Sequence, residues 1–532
     1  MYPKQNSLSF TLAESRGGDS ARGKGSCLLL VFLFLLSPST ANSQKQDYVW
    51  LQGYGSDGGI DTASNHYYGI SVFDFNQQPM HFFYDSLGMY FRQTNISYCD
   101  STGSLLFYSN GIYVANGLDE KIENSDTLNI GSFIYDWQPD DLQFGYVTTQ
   151  GMVAMQSPAN PNEYFLLHTF IDTPAPNFIV RRLYYTEVDM SANAGHGTTL
   201  AKNQTVFEGD LSWEMATIRH ANGRDWWGLL QKRHTNCYYK VLVNQQGVRL
   251  VDSVCLGLNV DFNFGTFTST PDGRKVIYGN PSGAAVQVFD FDRCTGNLSN
   301  PYIIPIPYNS NQKIIYSGSA VSANGRFLYV ALTTLVFQYD LWAADITASK
   351  DTVAIYDGSQ NPFGSYFVTM QIGPDGKIYE SCGNSEWVYH VIDRPDEKGD
   401  SCLFHQHGIA MPSFCMGVPN FPNYRLGALN GSPCDTLTDL SEIEKLEKEK
   451  TIKVFPNPAI NFITVDYGFI NWNKGEVSLE VTNNLGQIVT QNTLPMYSGF
   501  QKLDVSQFAS GLYTAYIKRN SQIIATAKFA KQ

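Results

Sequence analysis

The feature that most constrains this sequence is a short turn, often Asp-Gly or Asn-Gly, that recurs between apolar segments every 50 to 62 residues. Asn, Asp and Gly tolerate the backbone of tight turns, and the flanking apolar segments have the length of β-strands. Each interval has room for four strands of about six residues. Six such units predict a β-propeller. The turns lie at 100–103, 158–161, 221–223, 271–273, 323–325 and 374–376.

Two segments outside the six units, 68–75 and 416–421, are also rich in apolar and aromatic residues. We expect them to pair, to complete a seventh blade and to remove the free edge of the ring. The sequence therefore predicts an all-β fold, with a propeller of six to seven four-stranded blades over residues 44–435. The repeat Ser-x-Asp/Asn-Gly-Lys/Arg-x-aliphatic-Tyr resembles those of secreted bacterial propellers, including lactonase-like ones. That resemblance implies a fold and no particular activity.

The last segment, 451–532, has alternating strands separated by turns, about seven in all, which is typical of a small antiparallel β-sandwich. It begins with Pro456-Asn457-Pro458, where two prolines remove two backbone donors and end a strand. The motifs that follow are Asn-x-Leu-Gly-Gln around Gly486, Leu-Asp-Val-Ser at 503–506, Gly-Leu-Tyr-Thr-Ala-Tyr-Ile beginning at Gly511 and Tyr513, and Lys-Phe-Ala-Lys beginning at Lys528.

These motifs, in this order, resemble the type A C-terminal sorting domain of the type IX secretion system. The resemblance covers residues 451–532 and implies export across the outer membrane, with the type IX translocon and a sorting protease as partners. The alternative is an ordinary adhesive module of immunoglobulin-like fold. Residues 414–437 further resemble the segment that ends the large domain of other type IX cargo propellers.

Residues 1–43 have the pattern of a secretory signal peptide with an N-terminal extension. Arg22 and Lys24 precede a ten-residue apolar run, Cys27 to Leu36, and small residues follow it, so we expect cleavage near Ser43/Gln44. The run is too short to span a bilayer. The expected location is therefore secreted or attached to the outer-membrane surface, with no transmembrane span.

Residues 436–450 combine apolar residues at helical spacing with many Glu and Lys, which favours a solvated linker. The whole chain has a net charge of -13 and is 14% aromatic but only 16% charged. Nucleic acid and anionic membranes need concentrated Lys and Arg, so we expect neither as a main partner.

Nine cysteines less Cys27 leave eight, an even number in a chain destined for an oxidising compartment. Cys237 and Cys255 are equidistant from Gln246, within a predicted hairpin. In that register the two thiols face each other, so we predict a disulfide. The alternative is two buried free thiols.

Three groups of residues are candidates for binding or chemistry. Trp226 and Trp227, with Trp213, Tyr238 and Tyr239, would form a stacking platform for sugar rings if exposed, and would otherwise pack between blades. His405 and His407 provide half of a metal site or lie in a solvated loop. Four aspartates at corresponding strand ends either converge to bind Ca²⁺ or cap turns, and we favour capping. They are Asp290, Asp292, Asp340 and Asp393.

No common catalytic motif is present in the sequence, and we predict neither catalytic residues nor a bound cofactor, with Ca²⁺ as the one exception considered. The function we expect is an exported propeller that binds a glycan or a protein. The alternative is a propeller hydrolase or lactonase that acts on a sugar or cyclic ester at the central channel. An enzyme would bring charged or histidine side chains to the channel mouth, whereas a binding module would expose an aromatic patch.

Overall fold

A computed structural model of the chain describes most of the residues that follow the predicted signal peptide. The predicted signal peptide, 1–43, and the predicted linker, 436–450, lie outside the described residues. The described ranges are 44–62, 65–131, 133–134, 145–172, 178–260, 265–280, 285–306, 318–360, 362–434, 452–467, 477–494, 500–519 and 522–532.

In the first half of the propeller, the described residues form two three-stranded blades and one four-stranded blade. Strand β12 is long because it serves two blades: its first part pairs with β11 and its last part with β13. The strands are β1 (Val49–Gly53), β4 (Ile70–Asp74) and β5 (His81–Asp85); β6 (Ile96–Cys99), β7 (Leu105–Ser109) and β8 (Val114–Asn116); and β9 (Met152–Gln156), β10 (Glu163–Ile171), β11 (Val180–Asp189) and β12 (Thr198–Arg219).

Four further blades follow, so the described residues form seven blades in all. The strands of the fourth to the seventh blade, after the last part of β12, are β13 (Trp226–Lys232), β14 (Thr235–Asn244) and β15 (Gly247–Val260); β16 (Thr266–Ser269), β17 (Lys275–Asn280), β18 (Ala285–Asp292) and β19 (Asn297–Pro305); β20 (Gly318–Val321), β21 (Phe327–Leu332), β22 (Leu335–Asp340) and β23 (Asp351–Ile355); and β24 (Thr369–Ile372), β25 (Ile378–Ser381), β26 (Glu386–Ile392) and β27 (Phe404–Cys415).

The predicted turns occupy equivalent places in the blades. Each of the six joins the innermost strand of a blade to the second strand, for example 271–273 between β16 and β17 and 374–376 between β24 and β25. The β-propeller prediction is therefore confirmed, and the six repeats correspond to the second to seventh blades.

Blades bury both of their faces, which explains strands without polar alternation. In β21, all six residues are buried. Leu328 and Val330 belong to the core shared with the fifth blade, whereas Phe327 and Tyr329 belong to the core shared with the seventh. The sequence of a strand in a blade that is covered on both faces is therefore a continuous apolar run.

The predicted pairing of 68–75 with 416–421 is wrong. Residues 70–74 form β4, which pairs with β1 and β5, and 416–421 form no strand. The seventh blade instead packs against the first. Ser71 and Ser413 are joined by a hydrogen bond of 2.8 Å between their hydroxyls, and the Tyr389 hydroxyl donates to Gln52.

A hairpin between β1 and β4 links the two ends of the propeller by strand pairing. Its strands are β2 (Ile60–Asp61) and β3 (His66–Tyr67), and β3 lies parallel to β27 with Tyr67 opposite Ser413. The hairpin thus extends the sheet of the seventh blade with residues that precede the first blade's second strand. We call this junction of first and seventh blades the seam.

The segment that follows β27, residues 416–434, runs across several blades. Asn420 donates to the Met152 carbonyl, and the Tyr424 hydroxyl donates to the Ala154 carbonyl. Arg425 forms a bidentate ion pair with the buried Asp47, at 2.9 and 2.6 Å. A disulfide between Cys294 and Cys434, 140 residues apart, holds the end of the segment.

The described residues of the C-terminal sandwich form seven strands and a separate apolar core, which confirms the sandwich prediction. One sheet has the order β28-β29-β32 and the other β31-β30-β33-β34, with all named pairings antiparallel. The strands are β28 (Lys453–Phe455), β29 (Phe462–Asp466), β30 (Val477–Asn483), β31 (Ile488–Thr493), β32 (Phe500–Asp504), β33 (Gly511–Arg519) and β34 (Gln522–Lys531).

Candidate functional site

An open pocket at the seam exposes aromatic side chains. We call it the seam groove; with the solvent at its open mouth it encloses about 710 Å³. The lining comes from the β2–β3 hairpin, the edge strand β5 and the outer strand β27, and therefore from both ends of the propeller. The lining residues are Asn65, His66, Tyr67, Tyr84, Met411 and Pro412.

Two tyrosines form the exposed aromatic walls of the seam groove. Tyr67 is 49% exposed and Tyr84 is 39% exposed, and their ring centroids lie 5.5 Å apart with the planes inclined by 55°. Such rings present a flat apolar face beside a polar hydroxyl. Asn65, on the turn before β3, adds a carboxamide at the same rim.

The walls of the groove are held in place from behind. The His66 ring stacks on Trp387 at 3.9 Å with nearly parallel planes, and Trp387 in turn contacts Phe414 at 5.4 Å. The Tyr84 hydroxyl donates to the Tyr68 carbonyl at 3.2 Å. These contacts hold the His66 and Tyr84 rings in place, and a preformed arrangement of this kind lowers the entropic cost of binding wherever a ligand is bound.

Gly69 makes room for the Tyr84 ring. Its φ is +153°, and a Cβ at this position would lie 2.3 Å from Cε2 of Tyr84. A side chain at residue 69 would therefore displace the tyrosine that forms one wall of the groove. Glycine is required here by the close approach of a ring to the backbone.

A second pocket lies where the inner strands of several blades begin, and we call it the channel-mouth pocket. Its floor is part of the segment after β27, including Met416 and Asn420. The described lining carries amide, hydroxyl and apolar groups and no carboxylate, histidine or basic side chain. The other lining residues are Gln93, Thr149, Gln150, Thr266, Val368, Thr369, Met370, Gln371, Gly383, Gly417, Val418 and Pro419.

The predicted stacking platform is wrong in its choice of residues. Trp226 and Trp227 are only 0% and 4% exposed, so neither ring has a face available to a ligand. Arg219 lies over the Trp226 ring at 3.8 Å, and Trp227 donates to the Arg293 carbonyl. The alternative, packing between blades, is the one that the structure shows.

The four aspartates do not converge. Asp292 accepts hydrogen bonds from the Cys294 amide and the Thr295 hydroxyl, as expected for a turn cap. The other three pair with basic side chains on the second strand of their own blade or in the turn before it. In the sixth and seventh blades the basic residue is the one directly after the turn glycine. These pairs are Lys275–Asp290, Arg326–Asp340 and Lys377–Asp393.

The two histidines of β27 point to different partners. His405 lies 3.1 Å from Asp393, and His407, whose φ is +56°, lies 3.1 Å from Asp357. No group of three or more His, Cys, Asp or Glu side chains suited to a metal ion occurs among the described residues. The two histidines of the predicted half-site for a metal therefore contact two different carboxylates.

Cys237 and Cys255 lie directly opposite each other on β14 and β15 and are bonded as a disulfide. Four other cysteines are buried free thiols, among them Cys382 and Cys415. Burial raises the pKa of the Cys99 thiol to about 12 and that of Cys415 above its usual range, so neither is a reactive thiolate at neutral pH.

Glu380 is an unusual buried acid in the seventh blade. It is 0% exposed, and neither side-chain oxygen has a hydrogen-bond partner in the described part of the chain. Burial raises the pKa of Glu380 well above its usual range, because it disfavours the ionised carboxylate relative to the protonated acid. His390 lies opposite on β26, and its pKa falls to about 4, mainly because burial disfavours the charged ring.

The motif residues of the C-terminal sandwich support its turns and its last strand. The Asn457 side chain accepts from the Ala530 amide and donates to the Lys528 carbonyl, so the Pro456-Asn457-Pro458 bend is tied to β34. Gly486 has a φ of +76° in the turn after Asn483, Gly511 begins β33, and the Tyr513 ring stacks on Phe529.

Residues 453–532 match the family model described as "Secretion system C-terminal sorting domain". The tail is a type IX secretion sorting domain. A chain with this sorting domain is a type IX secretion cargo, secreted or placed on the outer surface, and the secretion machinery is its partner. Among the described residues, no helix is long and apolar enough to cross a membrane.

Solved structures that are similar to the cargo propeller share little sequence with it. A Bacteroides uniformis protein, provisionally named a 6-phosphogluconolactonase, has 14% identity and a TM-score of 0.43, with 69% of this chain and 98% of that chain covered. A Lactobacillus plantarum protein has 11% identity and a TM-score of 0.41, with 70% and 99% covered. The periplasmic gluconolactonase of Pseudomonas aeruginosa has 11% identity and a TM-score of 0.35, with 70% and 98% covered. No curated protein sequence matches the chain.

The sequence reasoning missed the seam groove of the cargo protein. A signal was present, because residues 81–84 read His-Phe-Phe-Tyr and give aromatic side chains to both faces of a strand. A strand at the edge of a sheet is the natural place for such a run, since neither face is fully covered there. The partner residues Met411 and Pro412 are more than 300 positions away, and no local pattern connects them to Tyr84.

Proposed function

We propose that this secreted cargo is a carbohydrate-binding propeller and that the seam groove is its binding site. The observation that carries the proposal is the pair of exposed, inclined tyrosine rings, Tyr67 and Tyr84, in an open pocket. Sugar rings present C–H faces that stack on aromatic side chains, and their hydroxyls bind amide and phenol groups at the rim. The groove has both kinds of group.

The setting of the two rings also favours a binding site over ordinary surface exposure. Exposed aromatic residues on a monomeric protein are usually scattered singly. Here they are grouped, supported by the stack of His66 on Trp387, and accommodated by Gly69. A preformed site of this kind binds with little rearrangement.

The enzyme alternative, a hydrolase or lactonase at the channel, has weaker support. Such a reaction needs an acid, a base or a charged group close to the substrate. The described lining of the channel-mouth pocket is neutral, and the segment containing Met416 and Asn420 forms its floor. The aromatic groove is therefore the better starting point for experiments.

The test is a titration of the purified full chain with a panel of soluble oligosaccharides by isothermal calorimetry. We expect one class to bind, and Tyr84→Ala to weaken that binding about tenfold through loss of one stacking face. Tyr84→Phe retains the ring and is expected to retain most of the affinity. Trp342→Ala removes a ring that is 66% exposed on the sixth blade and serves as the matched control.

Two results would overturn the assignment. If no oligosaccharide binds, the ligand is not a carbohydrate. If binding is unchanged in Tyr84→Ala but lost in Gln371→Ala, whose side chain lines the channel-mouth pocket, the site is at the channel.

A further inference from the structure

Strand β5 is the outer edge of the first blade and is unusually apolar for an exposed edge. It pairs with β4 and with no other strand among the described residues. All five of its residues are exposed, and the three in the centre are aromatic: Phe82, Phe83 and Tyr84. An edge strand leaves a row of backbone donors and acceptors without partners, and proteins usually protect such edges with charges, proline or bulges.

The sequence of β5, His-Phe-Phe-Tyr-Asp, is complementary to itself when two copies run antiparallel. With Phe83 opposite Phe83 of the second copy, each His81 faces an Asp85 and each Phe82 faces a Tyr84. Cross-strand aromatic pairs and opposite-charge pairs both stabilise an antiparallel ladder. A register shifted by one residue in either direction would lose the His–Asp match.

Side chains from both copies would also meet on the correct faces. His81, Phe83 and Asp85 lie on one face of β5, where the His81 and Phe83 rings are already stacked at 5.1 Å. Phe82 and Tyr84 lie on the other face, which borders the seam groove. Pairing of two β5 strands would therefore continue both the face that carries His81, Phe83 and Asp85 and the face that carries Phe82 and Tyr84 across the contact.

From these observations we infer that the secreted protein forms a homodimer in which the β5 strands of two copies pair antiparallel about Phe83. The contact has two-fold symmetry, so the same strand supplies both halves and the assembly closes at two subunits. It joins the two first blades into one continuous sheet and covers the exposed edge. The inference goes beyond the proposed carbohydrate binding and does not depend on it.

The first test is the concentration dependence of the mass of the full chain, measured by sedimentation equilibrium. We expect a monomer–dimer equilibrium that Phe83→Lys shifts towards monomer by about tenfold or more, because a lysine at the centre would face its own copy. Ile355→Lys is the matched control. It puts the same charge on β23, the outer strand of the sixth blade, at a residue that is 65% exposed, and should leave the dimer unchanged.

A charge swap tests the register without removing aromatic surface. His81→Asp alone and Asp85→His alone should each weaken the dimer, because like groups then face each other. The double variant, His81→Asp with Asp85→His, should restore it. A fold defect could not produce this pattern of loss and recovery.

The inference is overturned if the unaltered chain remains monomeric at its highest soluble concentration. It is overturned in the same way if the chain stays monomeric because β5 binds a peptide of another protein. It is also overturned if a dimer forms but Phe83→Lys leaves it intact. Carbohydrate titration of the Phe83→Lys variant separates the two proposals, since that side chain does not line the groove. A monomeric variant that still binds sugar would support both.

Discussion

The C-terminal sandwich and the propeller are both antiparallel β-structures, but their functions are encoded differently. The sandwich is one contiguous segment with its own core, and the motif residues that identify it lie in its own turns and strands. The groove of the propeller is built from residues 65–67, 84 and 411–412, which come from the two ends of the propeller sequence. The export signal of this protein is local in sequence, whereas its candidate binding surface is assembled from residues far apart in the propeller.

This difference indicates for which kinds of functional site a sequence motif is informative. A motif can identify a function when the functional unit folds from neighbouring residues. A propeller site depends on which blades become neighbours and which strands remain at an edge, and both are properties of the whole ring.

The prediction with the largest expected effect tests whether the C-terminal sandwich directs export independently of the propeller. Deletion of 451–532 should abolish surface export and leave the protein in the periplasm, because the sorting domain is removed while the propeller keeps its own cores. The measurement is cell fractionation with immunoblotting. Deletion of 436–450 alone is the control and should reduce export much less. Unchanged surface export of the tail-less chain would contradict the comparison.

A smaller effect tests whether the propeller depends on its terminal segment. Asp47→Asn should lower the free energy of unfolding by about 1–3 kcal/mol, because it leaves Arg425 without its partner. This expected loss is smaller than for a fully buried ion pair, since Arg425 is partly exposed. Denaturant unfolding followed by tryptophan fluorescence measures this. Asp126→Asn, at an exposed pair with Lys202, should change the stability by less than about 0.5 kcal/mol. Equal effects would mean that the segment is not held by this pair.

A pH-dependent effect compares two buried glutamates, one in each region. Glu480 of the sandwich is paired with Lys518 at 2.6 Å, whereas Glu380 of the propeller has no such partner within the described ranges. Because burial raises its pKa, folded Glu380 retains a proton that the unfolded chain releases above about pH 4.5. The folded state then binds more protons, so stability falls as the pH rises from there towards the raised pKa.

Glu380→Gln should therefore stabilise the propeller, with a gain that grows by about 1.4 kcal/mol for each pH unit in that window. Glu480→Gln should instead destabilise the sandwich, since it leaves Lys518 without its partner. Thermal unfolding at several pH values measures both. A Glu380→Gln variant with the same pH dependence as the unaltered chain would contradict the assignment.

Much of the fold could be predicted because its signals are local. The six turns fix the inner strands of six blades, and Cys237 and Cys255 are symmetric about one hairpin. The first blade could not be predicted in the same way, since the β2–β3 hairpin interrupts it and replaces the recurring turn. The Cys294–Cys434 disulfide was also beyond reach, because 140 residues separate its members.

The candidate site was harder to predict because exposure is a tertiary property. Trp226 and Trp227 have the composition of a sugar platform, yet they pack between blades. The local sequences around Tyr67 and Tyr84 do not distinguish them from the buried aromatic residues. They remain exposed because Tyr67 lies on the β2–β3 hairpin and Tyr84 lies on the edge strand β5. Composition therefore identified aromatic residues as candidates, but not which of them are exposed.

The measurement that tests the central claim most directly is hydroxyl-radical footprinting of the full chain, with and without the oligosaccharide that binds best. The account predicts that binding protects Tyr67 and Tyr84 from oxidation and leaves Trp342 unchanged. Protection of Met416 at the channel-mouth pocket, with Tyr67 and Tyr84 still reactive, would contradict it and move the binding site to the channel.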